Sequence, residues 1–218
     1  MRCIFCKANT SSSSSVEHIV PESLGNKAHT LPVGVVCDGC NNYLACKVEK
    51  PVLDSGMFRL LRADREVTNK RGRTPELVAG EQVNLPDYRL MSRFLGKVGL
   101  EALASRVLQV AKWNEEMVDK EALDELRRYV RFNKGTQPWP FAYRTLYPVN
   151  AVFREDDMHF EVLHEHHLLY TTCSELYIVV AIFGVEFSLN LGGPHLDGYR
   201  KWLEEHNYES PLYQNTTG

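Results

Sequence analysis

The alternation of apolar and polar positions divides the chain into three stretches. The first, to about residue 50, holds no long periodic run. "VEHIVP" (16–21) alternates like a short strand, with Val16 and Ile19 or Val20 inward and Pro21 ending it. "LPVGVV" (31–36) predicts a second short strand running into Cys37. Asn41 to Val48 predicts a helix capped by Asn41 or Asn42, with Pro51 as a barrier beyond it. Ser11 to Ser15 predict a flexible loop tip with no core to join.

Helical spacing takes over in the second stretch. Met57, Leu60 and Leu61 share one face of 52–66, with arginines on the other, and "NKRGRTPE" (69–76) predicts a basic loop tip. Residues 88–111 form the longest periodic run, carried by Leu90, Phe94, Leu95, Val98, Leu103, Val107 and Val110. Gly96 and Gly99 either weaken its middle or permit close packing. A second helix is expected over 115–132, and "FNKGTQPWPF" breaks it. The third stretch, 141–191, is rich in Tyr, Phe, Val, Ile and Leu and predicts three to four strands, followed by a short helix in "YRKWLEEH". The fold class is α+β. We divide the chain into a module at 1–50, a basic extension at 51–75, and a helical then β-rich region of unknown role at 76–218.

Charge is distributed unevenly. The net charge is −3, but residues 51–75 hold six basic against three acidic residues, and residues 137–218 hold four against eleven. A polyanion would be drawn to the front of the protein and repelled by its end. No apolar run reaches the ~20 residues of a membrane span. No secretory signal is visible, so we expect a cytoplasmic protein.

In such a compartment the spacing Cys3-x2-Cys6 and Cys37-x2-Cys40 points to metal and not to disulfides. Each CxxC turn presents two sulfurs to one ion, and two turns complete a tetrahedron. We expect a structural zinc on Cys3, Cys6, Cys37 and Cys40, with all four positions filled by protein. Cys46 and Cys173 read as ordinary thiols. The run His164, His166, His167 also invites a metal reading, but only Glu161 or Glu165 could complete it.

Between the pairs lies Glu17-His18-Ile19-Val20-Pro21. The order "CIFC … EHIVPESLG … LPVGVVCDGCNN" resembles the zinc-stapled HNH endonucleases, in the subgroup marked by Glu-His-Ile-Ile/Val-Pro. The resemblance covers about residues 1–50. It implies a ββα-metal, treble-clef-like fold, two antiparallel strands and then a helix. It implies His18 as general base, and Glu17 with Asn41 (Asn42 as substitute) holding a catalytic Mg²⁺ or Mn²⁺. The chemistry agrees. Phosphodiester hydrolysis needs an activated water and a cation near the phosphate, and Mg²⁺ takes oxygen ligands. Two departures stand out. Many relatives carry Asp where Glu17 stands. The middle Asn, expected about five residues before the second Cys pair, is replaced by Pro32, with Asn26 or His29 as substitutes.

The substrate implied is DNA, probed by Lys47, Lys70, Arg71 and Arg73 through phosphate contacts. RNA and modified or branched DNA remain open, as does a homodimer or protein partner through the C-terminal region. The competing reading is a non-catalytic four-cysteine zinc module in a nucleic-acid or protein complex.

Overall fold

The protein is described by a computed structural model over residues 1–69, 71–77, 84–110, 116–146, 154–155, 160–161 and 164–213. The N-terminal module follows the expected order but with shorter strands. β1 (Glu17–His18) pairs antiparallel with β2 (Thr30–Leu31), Glu17 opposite Leu31 and His18 opposite Thr30. The strand expected over 31–36 ends at Leu31. Pro32 has no N–H to extend the ladder, and Gly34 turns the chain with φ +93°.

Helix α1 (Asp38–Leu44) begins earlier than expected. Its cap is Cys37, whose Sγ accepts the N–H of Cys40 at 3.3 Å, so Asn41 and Asn42 lie inside the helix. Pro51 does not stop it either. A wide turn of π type, Ala45–Glu49, carries the helix into α2 (Lys50–Leu53), where Pro51 sits in the first turn and its missing N–H costs little. The serine run is anchored rather than free at its end: Ser14 and Ser15 donate their N–H groups to the Asp38 carboxylate at 3.1 and 2.9 Å.

α3 (Gly56–Asp64) buries Phe58, Leu61 and Arg62, so of the expected face Leu61 is buried, Met57 and Leu60 are half-buried, and one arginine turns inward. α4 (Tyr88–Val110) is the central element. Gly96 and Gly99 prove to be packing positions: a Cβ at Gly99 would lie 2.5 Å from Leu191 Cδ2, and one at Gly96 2.7 Å from Val130 Cγ2. The helix expected over 115–132 is broken into α5 (Glu116–Asp119), a short turn at Glu121–Leu123, and α6 (Asp124–Phe132). The buried guanidinium of Arg127 explains the break. It takes the carbonyls of Met117 (2.5 Å), Lys120 (3.0 Å) and Ile4 (2.8 Å), which diverts two of them from a helical ladder.

The C-terminal strands are β3 (Phe141–Thr145), β4 (Arg154–Glu155), β5 (Phe160–Glu161), β6 (His164–Tyr170), β7 (Leu176–Ile182) and β8 (Val185–Asn190). Four of them form an antiparallel sheet in the order β3-β8-β7-β6, so β6 is an edge; β4 and β5 pair separately. Alternation along β7 assigns its two faces. Ile178, Val180 and Ile182 join one continuous core that runs from Cys3 and Ile4 of the module through Phe94, Leu95 and Val98 of α4. Tyr177 and Val179 pack on the other side with Tyr199 and Trp202 of α7 (Asp197–Glu205). No helix among the described residues is long and apolar enough to cross a membrane.

Candidate active site and metal centre

The knuckle and the start of α1 bring four sulfurs together. The Sγ atoms of Cys3, Cys6, Cys37 and Cys40 all lie within 4.8 Å of one another, a cluster that could hold a metal ion. Donors surround it as they would surround thiolates. Cys37 N–H points to Cys3 Sγ at 3.4 Å, Cys40 N–H to Cys37 Sγ at 3.3 Å, and Arg131 Nε to Cys40 Sγ at 3.1 Å. Arg131 is itself held over the Tyr43 ring, 3.9 Å from its centroid. Crowding drives the thiols apart in acidity. Hydrogen bonding from Cys40 pulls Cys3 down to about 5, and burial pushes Cys6 up to about 11. A soft dication relieves such a cluster, and the donor set fits zinc.

Within β1, adjacent side chains face opposite ways. His18 is half-buried. Its Nδ1 is shielded from solvent and makes no hydrogen bond among the described residues, while Nε2 lies 4.0 Å from Glu22 Oε2. Asn41, on the first turn of α1, donates its amide to the carbonyl of Val16 at 3.2 Å. It thus sits one residue from Glu17, and its Oδ1 accepts no hydrogen bond among the described residues.

Glu17 turns inward. Its Oε1 lies 2.7 Å from Nζ of Lys97, a lysine of α4 with no exposed surface. The same ammonium lies 2.6 Å from Glu49 Oε1 and 2.9 Å from Glu101 Oε2, and donates to the backbone carbonyl of His18 at 2.9 Å. Burial pulls the Lys97 pKa down, but three carboxylates outweigh it and hold the ammonium charged. Burial pushes Glu17 and Glu101 above the usual carboxylate range, with Lys97 opposing. This cluster escaped the reading of the sequence. A signal was present: Lys97 and Glu101 form an i,i+4 pair inside a helix that is apolar on nearly every side, where a charge survives only when paired.

Of the two substitutes for the middle Asn, Asn26 bonds the loop and not His18 itself. It is buried, and its side chain makes four backbone hydrogen bonds across the loop between β1 and β2. Nδ2 donates to Val20 O (2.7 Å) and His29 O (3.0 Å), while Oδ1 accepts from Ala28 N (3.1 Å) and His29 N (2.9 Å). Asn26 thereby fixes the loop that joins the His18 strand to its partner. Asn26→Ala should cost about 2–3 kcal/mol, since several buried backbone groups lose their partner at once. Urea denaturation would show it; an unchanged midpoint would remove Asn26 from this role.

Of the residues assigned to nucleic acid, Lys47 is exposed on the wide turn after α1. Arg71 and Arg73 are exposed on a tip closed by Gly72 (φ +69°), where Asn69 Oδ1 accepts the N–H groups of both arginines at 2.8 and 3.2 Å. Lys70 lies outside the described residues.

The site is a strand pair and helix stapled by cysteines, with an acid–histidine dipeptide on the first strand. Residues 3–55, about a quarter of the chain, match the family model described as HNH endonuclease. No curated protein and no solved structure matches the chain.

Proposed function

We propose that the protein is a metal-dependent endonuclease that hydrolyses phosphodiester bonds in DNA, with zinc held structurally by the four cysteines. One observation carries this reading above the others. Inside the matched segment, β1 carries the half-buried His18, while Glu17 and Asn41 place hard oxygen donors on the same strand and the adjoining helix turn. Glu17 and Asn41 would hold a Mg²⁺ or Mn²⁺ ion, which supplies charge neutralisation at the phosphate and the departing oxygen. The His18 imidazole accepts the proton of the attacking water, leaving a 5′ phosphate and a 3′ hydroxyl. Lys97 fixes the backbone of His18 through its carbonyl, so the imidazole is borne on a strand held from behind. Lys47, Arg71 and Arg73 contact phosphates.

A second reading has its own support. Glu17 is already paired with the ammonium of Lys97, which leaves that carboxylate less available to a cation. A zinc-stapled binding module without cleavage would tolerate this arrangement.

Plasmid cleavage decides between them. The zinc-loaded protein is expected to nick or linearise plasmid with Mg²⁺ or Mn²⁺ and not with EDTA. His18→Ala should lower the rate by about a hundred-fold or more, the usual contribution of a general base. A folded, zinc-bound protein that cuts no DNA or RNA under any of these conditions is a binding module.

A further inference from the structure

A seam runs along α4 between the module and the edge of the sheet. At its module end stands His29, just before β2. The His29 ring meets His164 edge-on at 6.0 Å and His166 at 5.6 Å, both on β6. His29 lies close to His18 in the ladder: Ile19 N donates to His29 O at 3.1 Å, and His18 pairs with Thr30. Beside the histidines a cleft of about 330 Å³ opens along the seam. Ser105, Arg106 and Gln109 of α4 line one side, and His166 and His167 of β6 the other.

The chemistry of this cleft is one-sided. A hydroxyl, a guanidinium, an amide and two imidazoles face it, and no carboxylate among the described residues lines it. Glu165 shares the His167 face of β6 by alternation but does not line the cleft, and Glu101, one turn before Ser105, is buried against Lys97. Arg106 is exposed and makes no ion pair among the described residues. Burial holds His166 down to about 4, which makes it a neutral N–H donor and leaves Arg106 the permanent charge. An unpaired guanidinium flanked by neutral donors is the composition of a phosphate grip.

We propose that the α4–β6 cleft binds the sugar-phosphate backbone of the duplex DNA whose scissile phosphate lies at His18. Arg106 supplies the charged contact, and Ser105, Gln109, His166 and His167 supply hydrogen bonds. The footprint then extends beyond the HNH module onto the C-terminal region, whose overall acidity gave no sign of it. The inference rests on the nuclease reading above.

The test measures duplex binding by fluorescence anisotropy across a salt series. It uses the zinc-loaded full chain with His18→Ala, alone and combined with Arg106→Ala, Arg106→Lys, or Arg200→Ala on α7 as a remote control. Zinc content and circular dichroism check folding. Arg106→Ala should weaken binding about five- to twenty-fold at low salt and reduce the slope of log Kd against log salt by about one, the signature of one lost phosphate contact. Arg106→Lys should restore most of the slope, and Arg200→Ala should change neither. If His18→Ala binds duplex and Arg106→Ala shifts Kd by less than two-fold with an unchanged slope, the cleft is not part of the footprint, while the nuclease reading stands. Arg106-dependent binding of RNA duplex with none of DNA would overturn the choice of substrate. A protein that neither binds nor cuts any nucleic acid loses both readings together.

Discussion

Removing the metal from the four cysteines is expected to unfold the N-terminal module. The reason lies in how little else shapes it. Its two strands are two residues each and share only one short ladder. The knuckle at Cys3–Cys6 and the start of α1 are more than thirty residues apart in sequence, and besides the sulfurs one backbone hydrogen bond, Ile4 N–H to Val35 O at 3.0 Å, ties the knuckle to the approach to α1. Structural zinc in small domains supplies an apparent ~10–16 kcal/mol, strongly dependent on pH, and little of it survives chelation. The apolar side chains of the module share their core with α4, so part of that loss is offset by burial that does not need the ion. A loss of ~5 kcal/mol or more remains a reasonable expectation, which for a chain of this length means at least ~10 °C in Tm. The check is a thermal melt by circular dichroism with and without a strong chelator, beside Cys37→Ser and a titration of accessible thiols. Superimposed melts, with the thiols still protected after chelation, would mean that the cysteines are merely buried neighbours.

The cysteine spacing was legible because it is a local rule. Two CxxC turns place two sulfurs each without help from the rest of the fold, whereas the strand of "EHIVP" ends at His18, before Pro21. The long helix was legible because Leu90 to Val107 repeat with the helical period. What the sequence hid depends on contacts distant in the chain. Arg127 breaks a helix by reaching Ile4, which lies 123 residues away. Cys37 displaces Asn41 as the cap because its sulfur, held in place by the cluster, already faces the N–H of Cys40. Asn26 was named beside His29 as a substitute at the position where Pro32 stands, but its four backbone hydrogen bonds could not be read from spacing. The loop's length is set by its own hydrogen bonds and not by distance to the cysteines. The partner of Glu17 was the least visible feature, since Lys97 lies eighty residues beyond it and outside the segment that matches the family.

That partner makes Lys97→Met the most damaging single substitution to expect in the core. Methionine keeps the length and the apolar stem, so the change isolates the ammonium. Without it, Glu17, Glu49 and Glu101 lose their only common cation among the described residues, and Glu101 has no hydrogen-bond donor of its own there. Removing one partner of a buried charge network typically costs ~3–5 kcal/mol, or roughly 10 °C in Tm for a chain of this size. The pH dependence carries the diagnosis. Burial already raises Glu17 and Glu101 above the usual range. A carboxyl raised in the folded state contributes stability that is full below its unfolded value of ~4.3 and is lost as pH climbs through the folded value. Lys97→Met raises both further, so its deficit should widen from pH 5 to pH 8. Adding Glu101→Gln to Lys97→Met removes one orphaned charge and should recover part of the loss at the higher pH. The same variant loosens the strand that carries His18, because the donor to its carbonyl is gone. Cleavage should therefore fall more than stability alone explains at a temperature where the fold persists and zinc is retained. A Lys97→Met protein as stable as wild type at pH 8, or one whose deficit shrinks with rising pH, would mean that the carboxylates are protonated and uncoupled from the lysine, and that α4 does not support the catalytic strand.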